Sequence, residues 1–256
     1  MSWEWVVRIL EEYWPMFLQG AGMTLLISLV ATVAGFVIGL IISIIRTIPT
    51  PDNLVKRIIL KIVNFLLAAY IEIFRGTPMM VQAMVIYYGL DLALGISIDK
   101  LTAALLIVSI NTAAYMSEII RGGILSIDKG QYEAAKAMGM THFQTMYHIV
   151  LPQAIRNILP ATGNEFVINI KDTSVLNIIA VTELFFVART VAGTYLKYFE
   201  TFFIISVIYF ILTFTITRIL RFVEKKMDGK DNYVIMYANQ MQVESPEDMA
   251  RKVNQG

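Results

Sequence analysis

Long apolar segments separated by short polar ones are the main pattern of this 256-residue chain. Residues 23–45 contain no charged side chain, and about 20 apolar residues are enough to cross the ~30 Å hydrocarbon core of a bilayer. Comparable apolar segments follow at residues 101–120, 158–181 and 201–222. The pattern therefore predicts an all-α protein that crosses a membrane several times.

A further apolar stretch, residues 58–90, is too long for one straight crossing and contains Pro78. Proline lacks a backbone N–H and pushes the preceding residue out of the helical conformation. Because residues 79–90 are too short to cross alone, we expect one kinked span and a total of five. The carbonyl groups freed at the kink need a protein or water partner, which places Pro78 inside the helix bundle.

Gly35 and Gly39 form a G-x-x-x-G pair within the first span. Such a pair lets another helix approach closely. That helix belongs either to this chain or to a second copy, and the sequence leaves both possibilities open.

Three segments flank these spans. Residues 1–17, which include Trp3, Trp5 and Trp14, have regular apolar spacing and predict a separate interfacial helix on the outer face. Residues 183–200 mix aromatic and charged side chains and predict a surface or partly re-entrant helix. Residues 227–256 are polar and predict a cytoplasmic tail that is disordered or rests on a partner.

Composition agrees with this picture, since hydrophobic residues make up 57% of the chain and charged residues 16%. The 21 basic and 20 acidic residues nearly cancel, so there is no net field to attract nucleic acid, and we expect no such partner. The chain has no cysteine, which excludes disulfides and thiol chemistry. His142 and His148 form no metal-binding pattern, so no metal site is expected.

Basic residues predict the orientation, because cytoplasmic loops carry an excess of lysine and arginine. One side of the predicted spans holds Arg46, Lys56, Arg57, Lys61, Arg121, Lys129, Lys136, Arg156, Arg218, Arg221, Lys225 and Lys226. The other side holds Arg8, Lys100, Arg189 and Lys197. We therefore expect a multi-pass protein of the cytoplasmic membrane with its N-terminus outside and its C-terminus inside. Residues 18–226 are the transmembrane domain, with a cytoplasmic loop at residues 126–157.

That cytoplasmic loop contains a polar, helix-breaking segment at residues 133–152. Asp128 is suited to cap a first short helix, and Gly139 is suited to end it in the left-handed conformation. Thr141 is suited to cap a second short helix that ends before Pro152. Two short helices joined at a glycine predict a compact knob that contacts another protein.

The same segment carries a longer pattern: Glu133-Ala134-Ala135, then Gly139, then Ile149-x-Leu151-Pro152. This pattern resembles the EAA loop in the membrane-spanning subunits of ATP-binding cassette (ABC) importers. Residues 74–78 with Gln82, residues 114–124, and residues 164–166 with 171–174 are similar to the permeases of the polar amino-acid uptake family. The resemblance covers about residues 20–222.

The resemblance implies a type I ABC importer permease fold with about five spans. It implies a second permease copy or a close homologue, two cytoplasmic ATPase subunits and an extracytoplasmic solute-binding protein. The loop would be the coupling helix, seated on the ATPase through Glu133, Ala134, Ala135, Gly139, Leu151 and Pro152. The chain has no G-x-x-x-x-G-K-[ST] phosphate loop, so we expect a transport subunit without a cofactor, with ATP and Mg bound by the partner ATPase.

The fourth span contains Glu165, Lys171 and Asp172, and ionisable groups inside a membrane normally face a cavity or one another. Helical spacing places Glu165, Asn169 and Asp172 on one face, with Lys171 about 100° away. The ammonium group of an amino acid would meet Glu165 or Asp172. Its carboxylate would meet Lys171 or one of two hydroxyl groups, those of Thr173 and Ser174.

A structural alternative for these charges stays open. Lys171 and Asp172 would then pair with each other at a dimer seam or lie near the aqueous surface. On the kinked span, Arg75 and Gln82 share a face. We favour a structural ion pair for Arg75, next to the structural Pro78, and leave Gln82 open between packing and substrate contact.

Other functional classes stay in competition with an amino-acid permease. An importer subunit for another small solute would use the same loop, although charges of both signs favour a zwitterion. An ion channel or ion-coupled carrier has no evident need for the cytoplasmic knob. A membrane-embedded enzyme is disfavoured because no histidine or cysteine lies in a span. The amino acid transported, and whether the permease pairs with itself or with a homologue, are left open.

Overall fold

The computed structural model describes residues 2–240, with side chains to residue 227, and every regular element in that part of the chain is helical. The α-helices are α1 (Trp3–Arg46), α2 (Leu54–Gly76), α3 (Met79–Leu94), α4 (Lys100–Leu125), α5 (Lys129–Ala137), α6 (His142–Thr145), α7 (Leu151–Asp172), α8 (Leu184–Tyr195) and α9 (Tyr198–Gln240). A π-helical turn (Met146–Val150) joins α6 to α7, and a 3₁₀ helix (Thr173–Ile179) follows α7. The prediction of an all-α fold is confirmed.

Within the described residues, three helices are long and apolar enough to span a membrane by themselves: Trp3–Arg46, Lys100–Leu125 and Tyr198–Met227. A fourth candidate is the pair His142–Ile179 and Leu184–Tyr195, which is bent by 54°. Helices α2 and α3 do not qualify singly, because α2 carries several charges and α3 is short.

Helix directions nevertheless agree with a single net crossing by α2 and α3 together. Gly35 of α1 faces Thr112 of α4, and Gly39 faces Met116, so the two helices run parallel. Two neighbouring helices that run in the same direction across a membrane need the chain between them to cross back once, and α2 with α3 makes that crossing. Helix α7 runs antiparallel to α4, because its early residue Ile158 lies against Gly123, at the far end of α4.

The most extensive contact between two helices in the described part of the chain lies between α1 and α4. A β-carbon built on Gly39 would lie 2.8 Å from the Met116 β-carbon, and one on Gly35 would lie 2.7 Å from Thr112. The Ser43 hydroxyl donates a hydrogen bond to the Ser117 carbonyl at 2.6 Å. The G-x-x-x-G pair therefore packs against a helix of the same chain.

The N-terminal segment is not a separate helix, which corrects the predicted boundary at residue 17. Helix α1 is continuous over 44 residues, about 66 Å at ~1.5 Å per residue. Its first turns are covered by protein, since Val6, Ile9 and Phe17 are buried against α8 and the start of α9. This packing explains the continuity, because a helix held on its neighbours needs no break at the membrane surface. Whether these turns lie at the interface stays a prediction.

Helix α8 begins at a fully buried carboxylate, that of Glu183. The carboxylate accepts hydrogen bonds from the backbone N–H groups of Phe185 and Phe186 at 2.9 and 2.7 Å. The Tyr209 hydroxyl of α9 donates a third at 3.2 Å. Residues 184–195 therefore form a short helix tied into the bundle, and residues 198–200 already belong to α9. The choice between a surface helix and a partly re-entrant one stays a prediction.

The chain beyond the last span starts as helix. Helix α9 continues without a break to Gln240, so the predicted tail begins as an extension of that helix. The rest of the predicted tail, residues 241–256, lies outside the described residues.

Candidate functional site

At the helix break before Pro78, side-chain amide groups provide the hydrogen bonds that the broken helix lacks. The Gln82 amide donates hydrogen bonds of 2.9 Å to the carbonyl groups of Phe74 and Thr77. Phe74 is the residue four before Pro78, whose carbonyl a proline leaves without a helical donor. Asn111 of α4 donates to the Gln82 side-chain oxygen at 2.9 Å and fixes its orientation. The predicted need for a protein partner at the kink is thus confirmed, and Gln82 supplies it. Pro78 itself is exposed within this chain, on the wall of a cleft, so the prediction that it lies inside the bundle of this chain is wrong.

An acidic cleft of about 240 Å³ lies between this break, α4 and α7. Glu165 and Asp172 reach it from α7, and Asn111 and Tyr115 reach it from α4. Thr77 and Pro78 form the wall at the break. Residues from three separate parts of the sequence thus meet at one polar cavity.

Asn169 also borders this cleft, but its amide holds three helices together. It donates a 2.8 Å hydrogen bond to the Thr32 hydroxyl of α1 and accepts one of 3.2 Å from the Thr112 hydroxyl of α4. The residue is 4% exposed. These bonds give Asn169 a structural task, and its contact with substrate stays a prediction.

Lys171 lies in a different groove from Asp172. With Ser174, it lines a cavity of about 390 Å³ against Phe202, Ser206 and Tyr209. Among the described residues, no ion pair joins Lys171 to Asp172. The predicted neighbourhood of opposite charges is therefore split across two faces of α7. Thr173 is fully buried and donates to the Ile170 carbonyl at 3.0 Å.

Arg75 makes a different contact from the expected ion pair. Its guanidinium lies 5.4 Å from the ring centroid of Tyr115, in a cation–π arrangement. The ion pairs in the described part of the chain join Arg46 and Arg121 to Glu118. Arg75 thus borders the acidic cleft through the Tyr115 ring.

The loop at residues 126–157 forms the predicted knob. Asp128 accepts a 2.7 Å hydrogen bond from the Gly130 N–H and caps α5. Gly139 has φ +76°, and Met140 N–H donates across it to the Ala135 carbonyl at 3.0 Å. This is the left-handed C-terminal cap that favours glycine. Thr141 forms a capping box with Gln144 at the start of α6.

The second short helix does not end before Pro152, which corrects the prediction. Helix α6 passes through the π-helical turn into α7, which begins at Leu151. Pro152 therefore lies in the first turn of α7. The π-helical turn lies directly before Pro152, at the point where proline removes a backbone donor from the continuing helix.

The outer surface of the knob includes residues that the sequence pattern did not select. Ala135 is buried, whereas Met138, Phe143 and Tyr147 are 70%, 77% and 61% exposed. The rings of Phe143 and Tyr147 stack with centroids 6.2 Å apart. Exposed aromatic and methionine side chains on a polar loop are a signal for a protein contact.

Comparison with known proteins identifies the family. Residues 54–229 match the family model of the binding-protein-dependent transport system inner membrane component. The glutamine transport system permease protein GlnP of Escherichia coli K12 is 38% identical over 214 residues, covering 83% of this chain and 93% of that protein. The arginine transport system permease protein ArtQ of Bacillus subtilis 168 is 37% identical over 217 residues, covering 85% and 94%.

Solved structures agree. A crystal structure of an amino acid ABC transporter with histidines matches with a TM-score of 0.75 and 37% identity, covering 85% of this chain and 96% of that one. The inward-facing MetNI methionine ABC transporter matches with a TM-score of 0.63 at 21% identity and shares the fold.

Proposed function

Since the chain belongs to the family of binding-protein-dependent transport system inner membrane components, we propose that it carries an amino acid across the membrane through the acidic cleft. It is the permease subunit of an ABC importer, a transport subunit whose ATP hydrolysis is carried out by a separate subunit. The observation that supports our proposal best is the convergence of Glu165 and Asp172 on one cavity beside a broken helix.

Two carboxylates in one cleft favour cargo with a positive charge. Among the described residues, Arg75 acts on Glu165 and Lys171 acts on Asp172 through space, but no close ion pair reaches either carboxylate. A substrate ammonium group would supply that close cationic partner. Tyr115 lines the cleft and Arg75 lies against its ring, so these two residues would donate hydrogen bonds to the substrate carboxylate. The relatives named for glutamine and arginine transport suggest a polar or basic amino acid as the cargo.

Asp172→Asn tests the cleft, because it keeps the shape and removes one charge. We expect uptake affinity to fall roughly tenfold or more, as for the loss of a charged hydrogen bond, while basal ATPase activity persists. The measurement is uptake and hydrolysis by the complex reconstituted with its ATPase and binding protein.

Lys171→Gln is the matched control, since it removes a neighbouring charge that faces the other groove. It should change uptake affinity little. An equal loss in both variants would mean that the two faces of α7 act together on one substrate, and unchanged uptake in Asp172→Asn would place the pathway elsewhere.

We also propose that the knob of α5 and α6 transmits force from the ATPase. Gly139 has no atom within 4 Å of a built β-carbon, so Gly139→Val would act through its φ alone. A left-handed non-glycine residue costs about 1–2 kcal/mol, and we expect ATP use to be uncoupled from transport. Gly139→Asn should restore coupling, because asparagine tolerates that conformation. Normal substrate-stimulated ATPase activity in Gly139→Val would contradict the proposal.

The proposed orientation has the N-terminus outside and the knob in the cytoplasm, supported by the basic residues at the knob end. The chain has no cysteine, so single-cysteine variants report cleanly. Cysteine at Met138, which is 70% exposed, should react with an impermeant maleimide from the cytoplasmic side only. Cysteine at Leu92, which is 91% exposed, should react from outside only. Reaction of both from one side would overturn this topology.

ATPase subunits and a substrate-binding protein are the general partners of this family. We propose two ATPase subunits and a second permease, either a copy or a close homologue. Helix α2, in which Ile71 is the one buried residue, offers an apolar surface to a second permease, although lipid would cover the same surface equally well. Native mass spectrometry of the purified complex would give the stoichiometry, and a single permease per complex would refute the pairing.

A further inference from the structure

A second polar cavity lies at the end of the bundle where α1 and α4 meet the knob. It has a volume of about 380 Å³ and lies outside the acidic cleft. Its polar wall is formed by Arg46 at the end of α1, Arg121 near the end of α4, and His142 at the start of α6. Its apolar wall includes Leu125 and Met146. The cavity thus has a cationic side and an apolar side.

The cationic side carries a surplus of charge and donors. Glu118 is shared by both arginines: Arg121 Nη2 donates to it at 2.8 Å, and Arg46 Nη1 also donates to it. Two guanidinium groups and one carboxylate leave a net charge of about +1 at the site. Each guanidinium has five N–H donors, and one carboxylate does not occupy them all. The arginine side chains are 21% and 35% exposed, so part of each stays open to the cavity.

The position of the cavity relative to the bilayer indicates where its ligand would come from. Arg46 directly follows the uncharged first span, so the cavity lies at the depth where the apolar core of a bilayer ends. Leu125, on its apolar side, is 64% exposed. Basic pockets between membrane helices at this depth suit lipid head groups.

We propose that this cavity binds a phosphate-bearing anion, supplied by the head group of an anionic phospholipid. The phosphate would take the free arginine donors, which favour phosphate geometry, and the lipid chains would follow the Leu125 side. Because Tyr132 and His142 of the knob also line the cavity, a bound lipid would tie the knob to α1 and α4.

The test uses the permease purified with its ATPase subunits in detergent. Binding is followed by native mass spectrometry and by thermal stability. The probes are dioctanoyl phosphatidylglycerol, dioctanoyl phosphatidylcholine and inorganic phosphate. Phosphatidylglycerol should bind, and Arg121→Gln should weaken it about fivefold, the effect of one basic residue near a membrane surface. Arg121→Gln leaves Arg46 paired with Glu118, so the helices stay joined.

Two further variants sharpen the result. Arg57→Gln removes the same charge from an exposed position on α2 and should change binding less than Arg121→Gln. Glu118→Gln releases both arginines and should strengthen binding. Equal binding of inorganic phosphate would support the anion site and refute the lipid as its source. Equal binding of phosphatidylcholine, no binding at all, or equal weakening by Arg57→Gln would overturn the proposal.

Discussion

Helices α2 and α4 are similar in length and both are rich in apolar residues, yet their surroundings differ sharply. Thirteen of the 26 residues of α4 are buried, against one of the 23 residues of α2. The buried positions of α4 include Ser109, Thr112, Ser117 and Gly123, whereas the exposed positions of α2 include Ile58, Phe65 and Leu66. Apolar residues such as Ile107 and Ile120 are also buried in α4, so the feature that distinguishes the central helix from α2 is its small and hydroxyl-bearing side chains.

The membrane explains this difference. Lipid tails are as apolar as leucine, so a leucine-rich face gains little by packing against protein. Small residues let backbones approach, and hydroxyl groups bond across the gap. The α1–α4 contact is therefore tightly packed, and we call it the spine. Helices α2 and α3 are held to the rest of the chain at a few points, and we call this pair the limb.

The largest expected effect breaks the spine. In Gly39→Val the new β-carbon would lie 2.9 Å from the Ser117 backbone nitrogen, so the helices must move apart. We expect a destabilisation of about 3 kcal/mol, at the upper end for overpacking. The measurement is the thermal midpoint of the purified complex. Gly22→Val is the control, because nothing lies within 4 Å of its built β-carbon. Equal midpoints for the two variants would show that the spine is not tightly packed.

A smaller effect is expected at the hinge of the limb, which is the helix break at Pro78 between α2 and α3. Gln82→Leu removes the donor to the Phe74 and Thr77 carbonyls, and leaving them unpaired costs about 1–3 kcal/mol. We expect lower thermal stability together with slower transport, since the hinge borders the acidic cleft. Gln153→Leu is the control, because it loses a similar bond to the Ile149 carbonyl on an exposed surface. Wild-type stability and uptake in Gln82→Leu would show that the break needs no amide cap.

The smallest effect is expected for the hydrogen bond that joins α2 of the limb to α4 of the spine. Tyr70 of α2 donates a 2.5 Å hydrogen bond to the Ile110 carbonyl of α4. Tyr70→Phe removes this bond, and interhelical bonds in membranes average about 0.6 kcal/mol. The thermal midpoint should fall slightly more than in Tyr88→Phe, whose ring is 51% exposed. A loss as large as that of Gly39→Val would mean that the limb is held as firmly as the spine.

The sequence determined several features because they depend on local chemistry. Pro78 separates α2 from α3 because proline lacks a backbone N–H and pushes the preceding residue out of the helical conformation. Pro15 and Pro160, in contrast, lie inside continuous helices. Gly139 reaches its left-handed cap because other residues pay a steric penalty there. The family was also readable from the spacing of Glu133, Gly139 and Pro152 in the loop.

Other features depended on which helices become neighbours. Asn111 orients Gln82 at the break, and Asn169 joins α1, α4 and α7; neither partnership has a local signal, because the partners are 29 to 137 residues apart. Lys171 and Asp172 are adjacent in the chain but face different grooves, because helical geometry turns successive side chains by about 100°. The sequence by itself determined the break at Pro78, the caps of the knob and the family; tertiary structure alone decided which polar groups share a cavity, because in a membrane that choice follows from the close packing of helix backbones.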